Sequence, residues 1–191
     1  MTTTEPIRNK HQVQKIMEYY LINEQPRNYV LTTLSVFTAL RVSDLLRLRW
    51  KDVYDFDQEN IRHAFSLIEQ KTRKPKIVTL NPYAEYALSL YIAQNDIRPE
   101  GFVIENPRTG KAISRIQAYQ IIRAAAEALG IGRFACHSLR KTFGYHAWKR
   151  GFSPTVIMDI YNHSSYAVTQ RYLGVSQDDR DEIYMNLDFS A

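Results

Sequence analysis

Six residues in four separated polar clusters are of types that could act together on a phosphate or another anion. They are Arg41, Lys71, His137, Arg140, His163 and Tyr172. Arginine holds anionic oxygens through paired N–H groups, histidine and lysine transfer protons, and tyrosine attacks as a nucleophile once it loses its proton. His137 and Arg140 stand three residues apart, which places both on the same face of a helix.

Each of these residues also has an ordinary structural explanation. An arginine after an apolar helix is typically a solvated surface residue, and a lysine in a turn is typically a polar turn residue. Histidine and arginine three apart occur in many helices, and a tyrosine in an amphipathic helix usually packs against its neighbours. Only the order and the local sequence of the clusters can therefore indicate a function.

The pattern of possible ligands argues against metal and nucleotide sites. None of the five histidines forms an HxxxH or HxH pair, and the chain has one cysteine, so no ordinary zinc site can be assembled locally. The chain also lacks GxxxxGK(S/T) and GxGxxG, the loops that hold nucleotide phosphates. We therefore expect neither a metal ion nor a cofactor.

Four segments, taken in order, resemble the motifs of one protein family. Ala39–Trp50 is similar to the first arginine box of the tyrosine recombinases, the phage-integrase family, and Gln70–Leu80 to their catalytic-lysine hairpin. His137–Phe143 resembles the second arginine box, and Asn162–Leu173 resembles the closing box of histidine and nucleophile. The likeness extends over about residues 10–175, and four ordered boxes are hard to obtain by chance.

The resemblance implies an α+β fold, mostly α-helical with a small antiparallel sheet, and a reaction at a DNA phosphodiester. Tyr172 would be the nucleophile that forms a 3′-phosphotyrosyl link, which conserves the energy of the broken bond without ATP. Lys71 would be the general acid for the leaving 5′-oxygen, and His137 would have an acid–base role. The family needs no metal for this reaction.

The same resemblance assigns the groups that hold the phosphate. Arg41, Arg140 and His163 would bind the nonbridging oxygens, on which phosphoryl transfer places its charge. Asp44, one turn beyond Arg41, would orient an arginine or a histidine. On the basic hairpin, Arg73 and Lys74 are expected to lie along the DNA backbone.

Three positions depart from the pattern of the family. Tyr161 and Asn162 stand where the family usually has Leu-Gly, and Lys141 stands where a second histidine often follows the arginine. None of the three is one of the six active-site positions. They affect our expectations for local packing and not for the chemistry.

The elements that must position these groups follow from hydrophobic periodicity and from capping residues. Helices are predicted over about 11–23, 28–39, 82–93, 114–129, 138–150, 154–161 and 166–173, with a short helix capped by Ser43. Strands are predicted over 61–68, 76–80 and 102–104, the first two forming a β-hairpin with a basic tip. A continuous helix would separate His163 from Tyr172 by about 13 Å, so a break at Ser164 or Ser165 is expected.

Length and composition set the broad class. The 191 residues are 45% hydrophobic and 24% charged, as in an ordinary soluble domain. The net charge of +5 suggests a polyanionic partner without proving one. The single Cys136 cannot form an internal disulfide, and no apolar run approaches the ~20 residues of a membrane span. We therefore expect a cytoplasmic protein that does not contact a membrane.

The predicted organisation is a flexible N-terminus over 1–8, a catalytic domain over 9–175 and a C-terminal tail over 176–191. The tail could dock on a neighbouring protomer or pack within its own chain. Only 38 residues precede the first arginine box, too few for the separate helical DNA-binding domain of the family. The chain is thus either a stand-alone recombinase, similar to the short fimbrial phase-variation invertases, or an excised catalytic domain.

Site-specific integration, excision or inversion is the leading functional hypothesis. The expected partner is double-stranded DNA with a specific recombination site. We expect the protein to bind it as a tetramer and to be a monomer or a weak oligomer when free. Two alternatives remain: type IB topoisomerase-like strand relaxation, and a catalytically idle DNA-binding regulator on the same fold. The complete set of six residues argues against the regulator, because a pure binder has no need of Tyr172.

Overall fold

The computed structural model describes residues 4–132, 134–174 and 177–188. In these ranges most residues are helical, and three small antiparallel hairpins lie between the helices. The helices are α1 Lys10–Ile22, α2 Pro26–Phe37, α3 Val42–Leu45, α4 Trp50–Val53, α5 Pro82–Ile92, α6 Arg115–Ala128, α7 Cys136–Lys149, α8 Pro154–Tyr161, α9 Tyr166–Leu173 and α10 Gln177–Asn186. The strands are β1 Tyr54–Asp55, β2 Asn60–Ile61, β3 Ala64–Ile68, β4 Pro75–Thr79, β5 Glu105–Asn106 and β6 Lys111–Ala112. The expected fold class is confirmed.

Helix α2 lies at the centre of the core. All its residues from Tyr29 to Val36 are buried, and it packs against α1, α5 and α7. Two of its buried hydroxyl groups donate back to carbonyls four residues earlier: Thr32 to Asn28, and Ser35 to Leu31. The middle of α2 is thus buried on every side although it carries polar residues.

The hairpin of β3 and β4 is the largest of the three. Its five pairs run from Ala64 opposite Thr79 to Ile68 opposite Pro75. The predicted strand 61–68 is split in the structure, because β2 pairs with β1 and the chain leaves the extended pairing at Arg62–His63 before β3 begins. Strand β4 begins one residue earlier than predicted.

Two further local predictions differ from the structure. The predicted strand 102–104 is wrong: Phe102 forms one bridge with Arg49, and Val103 and Ile104 lie in a turn. Their side chains are fully buried, so their apolar character reflects the core and not a sheet. Helix α3 begins before Ser43, with Arg41 at the N-cap position. By contrast, Ser114 caps α6 as predicted, accepting from the backbone N–H of Gln117 at 3.1 Å.

The segment predicted to be flexible over 1–8 is anchored over its described part, 4–8. Ile7 is buried, and its backbone N–H donates to Thr142 Oγ1 at 2.9 Å. The ammonium group of Lys141 donates to the carbonyl of Thr4 at 2.6 Å, and His146 Nε2 lies 2.9 Å from the carbonyl of Ile7. Sequence polarity did not predict this packing, because the partners of the segment lie about 135 residues away on α7.

Candidate active site

The predicted nucleophile lies between the two predicted histidines. The Tyr172 ring is 4.9 Å from the His137 ring and 4.6 Å from the His163 ring, centroid to centroid. The chain breaks between His163 and Tyr172 as predicted, because α8 ends at Tyr161 and Ser165 is the extended N-cap residue of α9. The break folds α9 back against α7 and α8, which brings the rings together.

Both histidines are neutral at ordinary pH. His137 is exposed, yet loss of water around its ring and the charges of Lys141 and Arg140 lower its pKa to about 4. Burial and the charge of Arg140 lower the pKa of His163 to about 4 as well. His163 Nδ1 lies 3.0 Å from the hydroxyl of the buried Thr169. When that hydroxyl donates, Nε2 carries the ring proton and can donate to an oxygen.

Arg140 forms the floor of the site. Its side chain is 1% exposed, and Nη1 donates to the carbonyl of Ala39 while Nη2 donates to the carbonyl of Tyr161 at 3.1 Å. The guanidinium also lies 4.7 Å from the centre of the Tyr161 ring. Nε makes no hydrogen bond among the described residues. Two carbonyls and one aromatic face therefore fix the orientation of this cation.

Arg41 is paired with an acid that the sequence did not single out. Its Nη1 lies 2.8 Å from Glu69 Oε2, and Glu69 is completely buried. Thr72 Oγ1 and Asn162 Nδ2 donate to the same carboxylate oxygen, at 2.7 and 3.0 Å. Burial alone would raise the pKa of Glu69, but these hydrogen bonds and the Arg41 guanidinium hold it below its usual value.

Lys71 lies exposed in the turn of the β3–β4 hairpin, as predicted. Its charge is close enough to contribute to the lowered pKa of His137, so the turn faces the site. Asp44 is buried, and its Oδ1 accepts from the backbone N–H of Gln70 at 2.8 Å. The expectation that Asp44 orients an arginine or a histidine is thus corrected: in the structure it holds the turn that carries Lys71.

A second buried cation, Lys76, completes the floor. Its Nζ lies 3.5 Å from the carbonyl of Ala39, which Arg140 also uses. Burial, and then the charge of Arg140, lower the pKa of Lys76 to about 8. Lys76 is not one of the residues that the sequence motifs assign to the site. Its alternation with the buried Val78 was the signal that it points inward, because residues two apart share one face of a strand.

The residues predicted to contact the DNA backbone, Arg73 and Lys74, are exposed beside Lys71. Arg73 adopts a left-handed backbone, with φ of 57°, and its N–H donates to the carbonyl of Glu69 at 2.9 Å. This bond closes the turn at the tip of the hairpin. The structure therefore brings all six predicted catalytic residues to one end of α7 and the hairpin, with two exposed cations at its edge.

Across residues 4–132, 134–174 and 177–188, no three histidine, cysteine, aspartate or glutamate side chains are grouped to hold a metal ion. No helix in these ranges is both long and apolar enough to cross a membrane.

Comparison with known proteins agrees with this geometry. Residues 8–178 match the sequence profile of the Phage integrase family. The chain is 36% identical over 178 residues to the probable integrase/recombinase YoeC of Bacillus subtilis (strain 168), covering 93% of each. It is 30% identical over 166 residues to a tyrosine recombinase of Pseudothermotoga lettingae, covering 86% of this chain and 54% of that protein.

Solved structures show the same fold. The XerA recombinase superposes with a TM-score of 0.78 at 20% identity, over 99% of this chain and 66% of XerA. The XerH recombinase, in a post-cleavage complex with a difH substrate, superposes with a TM-score of 0.76 at 18% identity, over 97% of this chain and 54% of XerH. The chain thus spans about half to two thirds of these larger recombinases.

The family profile and the similar proteins support the family membership that the four sequence motifs indicated. The chain belongs to the phage integrase family, the tyrosine recombinases. It is an enzyme of the site-specific recombinase class, and the topoisomerase and regulator alternatives are not favoured.

Proposed function

We propose that this chain cleaves and rejoins double-stranded DNA at a specific recombination site through a 3′-phosphotyrosyl link on Tyr172. The observation that supports this most directly is the placement of the Tyr172 ring against both His137 and His163. XerH and lambda integrase, which share the fold, were solved on DNA sites.

His137 is the proposed proton acceptor for Tyr172. A free tyrosine has a pKa near 10, so only about one in a thousand is ionised at neutral pH and a base must assist the attack. The low pKa of His137 keeps its imidazole neutral and able to accept a proton. Once protonated, it adds one positive charge beside the attacked phosphate.

Arg41, Arg140 and His163 are proposed to stabilise the charge of the transition state. Arg41 is 17% exposed, Arg140 Nε has no hydrogen-bond partner among the described residues, and His163 Nε2 can donate when Thr169 holds Nδ1. Removing one preorganised donor of this kind typically costs about 3–4 kcal/mol of transition-state stabilisation.

Lys71 is proposed to protonate the leaving 5′-oxygen. It lies in a turn rather than on a strand, so it can follow the oxygen as the bond breaks, while Asp44 fixes the base of that turn. The arginines and lysines supply the positive charge that other phosphoryl-transfer enzymes take from metal ions. This is why the proposal includes no metal, and it includes no ATP because the phosphotyrosyl link conserves the energy of the broken bond.

We further propose a tetramer on DNA, in which α10 contacts a neighbouring protomer. The first part of α10 is tied to its own chain, because Lys149 pairs with Asp179 at 2.9 Å and with Glu182 at 2.7 Å. The apolar side chains that follow, Ile183 and Tyr184, are exposed. A cytoplasmic location is proposed on the single free thiol, Cys136.

A nicked suicide substrate tests the reaction. Random-sequence duplexes are first enriched on the Tyr172→Phe protein, and the enriched site is rebuilt with a nick beside each candidate phosphate. The wild-type chain is expected to form a covalent adduct that resists denaturation, that the Tyr172→Phe protein does not form, and that persists in EDTA.

Four other outcomes would contradict the proposal. An adduct that survives the Tyr172→Phe change would exclude this nucleophile. Loss of the adduct on chelation with rescue by magnesium would exclude the mechanism without metal. Binding with no adduct at any nick would favour the regulator, and relaxation of supercoils without site dependence would favour the topoisomerase.

A further inference from the structure

One buried carboxylate in the site has no part in the mechanism above. Glu69, directly after β3, pairs with Arg41 and accepts hydrogen bonds from Thr72 and Asn162, all on Oε2. These partners belong to three different parts of the site: the N-cap position of α3 in the first arginine box, the hairpin turn that carries Lys71, and the turn before His163. A single side chain therefore joins the segments that carry three of the proposed catalytic groups.

Asn162 reaches Glu69 from an unusual backbone conformation. Its φ of 53° and ψ of 38° are left-handed, a region that glycine enters freely and that asparagine tolerates better than most residues. The family pattern usually has glycine here, which could continue the turn but could not donate a side-chain hydrogen bond. In this chain the turn is kept and the amide of Asn162 is added to it, directed at Glu69.

The burial of Glu69 indicates that it is held in place by its partners. A buried carboxylate is costly unless charged and polar partners compensate for the lost water. Here one guanidinium and two neutral donors do so, and Arg41 Nη1 is buried against the carboxylate. The side chain of Arg41 remains 17% exposed, so a phosphate can approach it without displacing Glu69.

We propose that Glu69 is a positioning residue for DNA cleavage, which fixes the guanidinium of Arg41 and fastens the Lys71 turn to the His163 turn. The inference rests on the proposed function, since it assigns a role within that reaction. Glu69 touches no DNA. Its negative charge opposes phosphate binding, and the alignment that it gives to Arg41 favours the chemical step.

Because the charge of Glu69 opposes binding while its contacts favour cleavage, removing the charge should affect binding and cleavage in opposite directions. Glu69→Gln keeps the shape of the side chain but removes its charge, so the site becomes more positive. In the Tyr172→Phe background, DNA affinity at low salt is expected to rise by about 3- to 10-fold, with a salt slope steeper by about one. Single-turnover adduct formation is expected to fall by about 10- to 100-fold, because a misplaced group costs that order of rate.

The matched control is Asp55→Asn, which removes the same charge from an ion pair outside the site. Asp55 pairs with Arg62 at 3.1 Å on the β1–β2 hairpin. This variant is expected to leave the cleavage rate within about 2-fold, because neither residue contacts a proposed catalytic group. Anisotropy against salt measures the affinity, gels measure the adduct, and thermal unfolding checks the fold.

Asn162→Gly provides a second route if Glu69→Gln unfolds. Glycine accepts the left-handed backbone, so the fold is expected to persist while one donor to Glu69 is lost. Cleavage is expected to fall several-fold with unchanged affinity. The double variant is expected to be no slower than Glu69→Gln alone, because both changes release the same contact.

Several results would overturn the inference. They are unchanged cleavage in Glu69→Gln, a parallel loss of affinity and cleavage, and independent multiplication of the two single effects. If the wild-type chain itself forms no adduct, both this inference and the proposed function fail. If it forms an adduct that Glu69→Gln leaves unchanged, only this inference fails.

Discussion

Lys76 is the residue at which stability and the proposed chemistry oppose each other. Its lowered pKa shows that the charged ammonium group is less stable in the folded protein than in water. In the unfolded chain it keeps its proton until about pH 10.5. Since the unfolded state binds more protons between about pH 8 and 10.5, wild-type stability rises with pH across this window.

Lys76→Met is therefore expected to be more stable, and also less active because it removes one positive charge from the floor of the site. It should gain up to about 3 kcal/mol of unfolding free energy at pH 7, because the buried charge is removed and the volume is kept. The gain should shrink as pH rises above 8 toward 10.5. Urea unfolding across this pH range measures it. A variant that is less stable at pH 7, or that cleaves as fast as wild type, would contradict the prediction.

The β3–β4 hairpin is the element that we propose presents exposed positive charge to the DNA. Arg73→Ala and Lys74→Ala are each expected to weaken binding alike on specific and random duplexes, and to reduce the salt slope by about one. Arg73→Gly separates charge from strain, because glycine removes the same charge and also accepts the left-handed φ of 57°. It should bind like Arg73→Ala but be more stable by about 0.4–1 kcal/mol.

Anisotropy titrations at several salt concentrations measure these slopes, and thermal unfolding measures the stability of each variant. An effect confined to one base position would show that the residue reads sequence and does not contact the backbone. Equal stability of Arg73→Gly and Arg73→Ala would show that the left-handed turn carries no strain.

Elements with strong local signals were predictable from the sequence. The capping serine of α6, the hairpin and the break before α9 follow from capping residues, alternation and the distance between His163 and Tyr172. The missed features depend on contacts between distant segments. Glu69 is a single acid beside a basic turn in the sequence, and only the fold places Arg41 and Asn162 against it.

The same reason explains the wrong strand at 102–104. An apolar run indicates burial, and only tertiary packing decides whether the buried segment is a strand or a turn. Val103 donates its N–H to Leu48 at 2.9 Å, and the chain then turns into β5. The sequence around Val103 does not indicate that Leu48 accepts this hydrogen bond.

At the scale of the whole molecule, α10 divides into an anchored start and an apolar end. Lys149 and Asp179 tie the helix to α7, whereas Ile183, Tyr184 and Leu187 are 63%, 81% and 61% exposed. Exposing apolar side chains to water is unfavourable, and covering them by docking lowers the free energy. Covering them on a neighbouring protomer would leave the catalytic residues of each chain unchanged.

The double variant Ile183→Asp, Tyr184→Asp is therefore expected to reduce assembly and spare chemistry. Mass photometry on DNA carrying two sites should show fewer protomers per complex, while adduct formation on a single half-site stays within about 2-fold of wild type. Ile22→Asp, at the equally exposed end of α1, is the matched control and should assemble normally. A lowered melting temperature in the double variant would instead indicate that these side chains pack within their own chain, and an unchanged assembly would remove α10 from the interface.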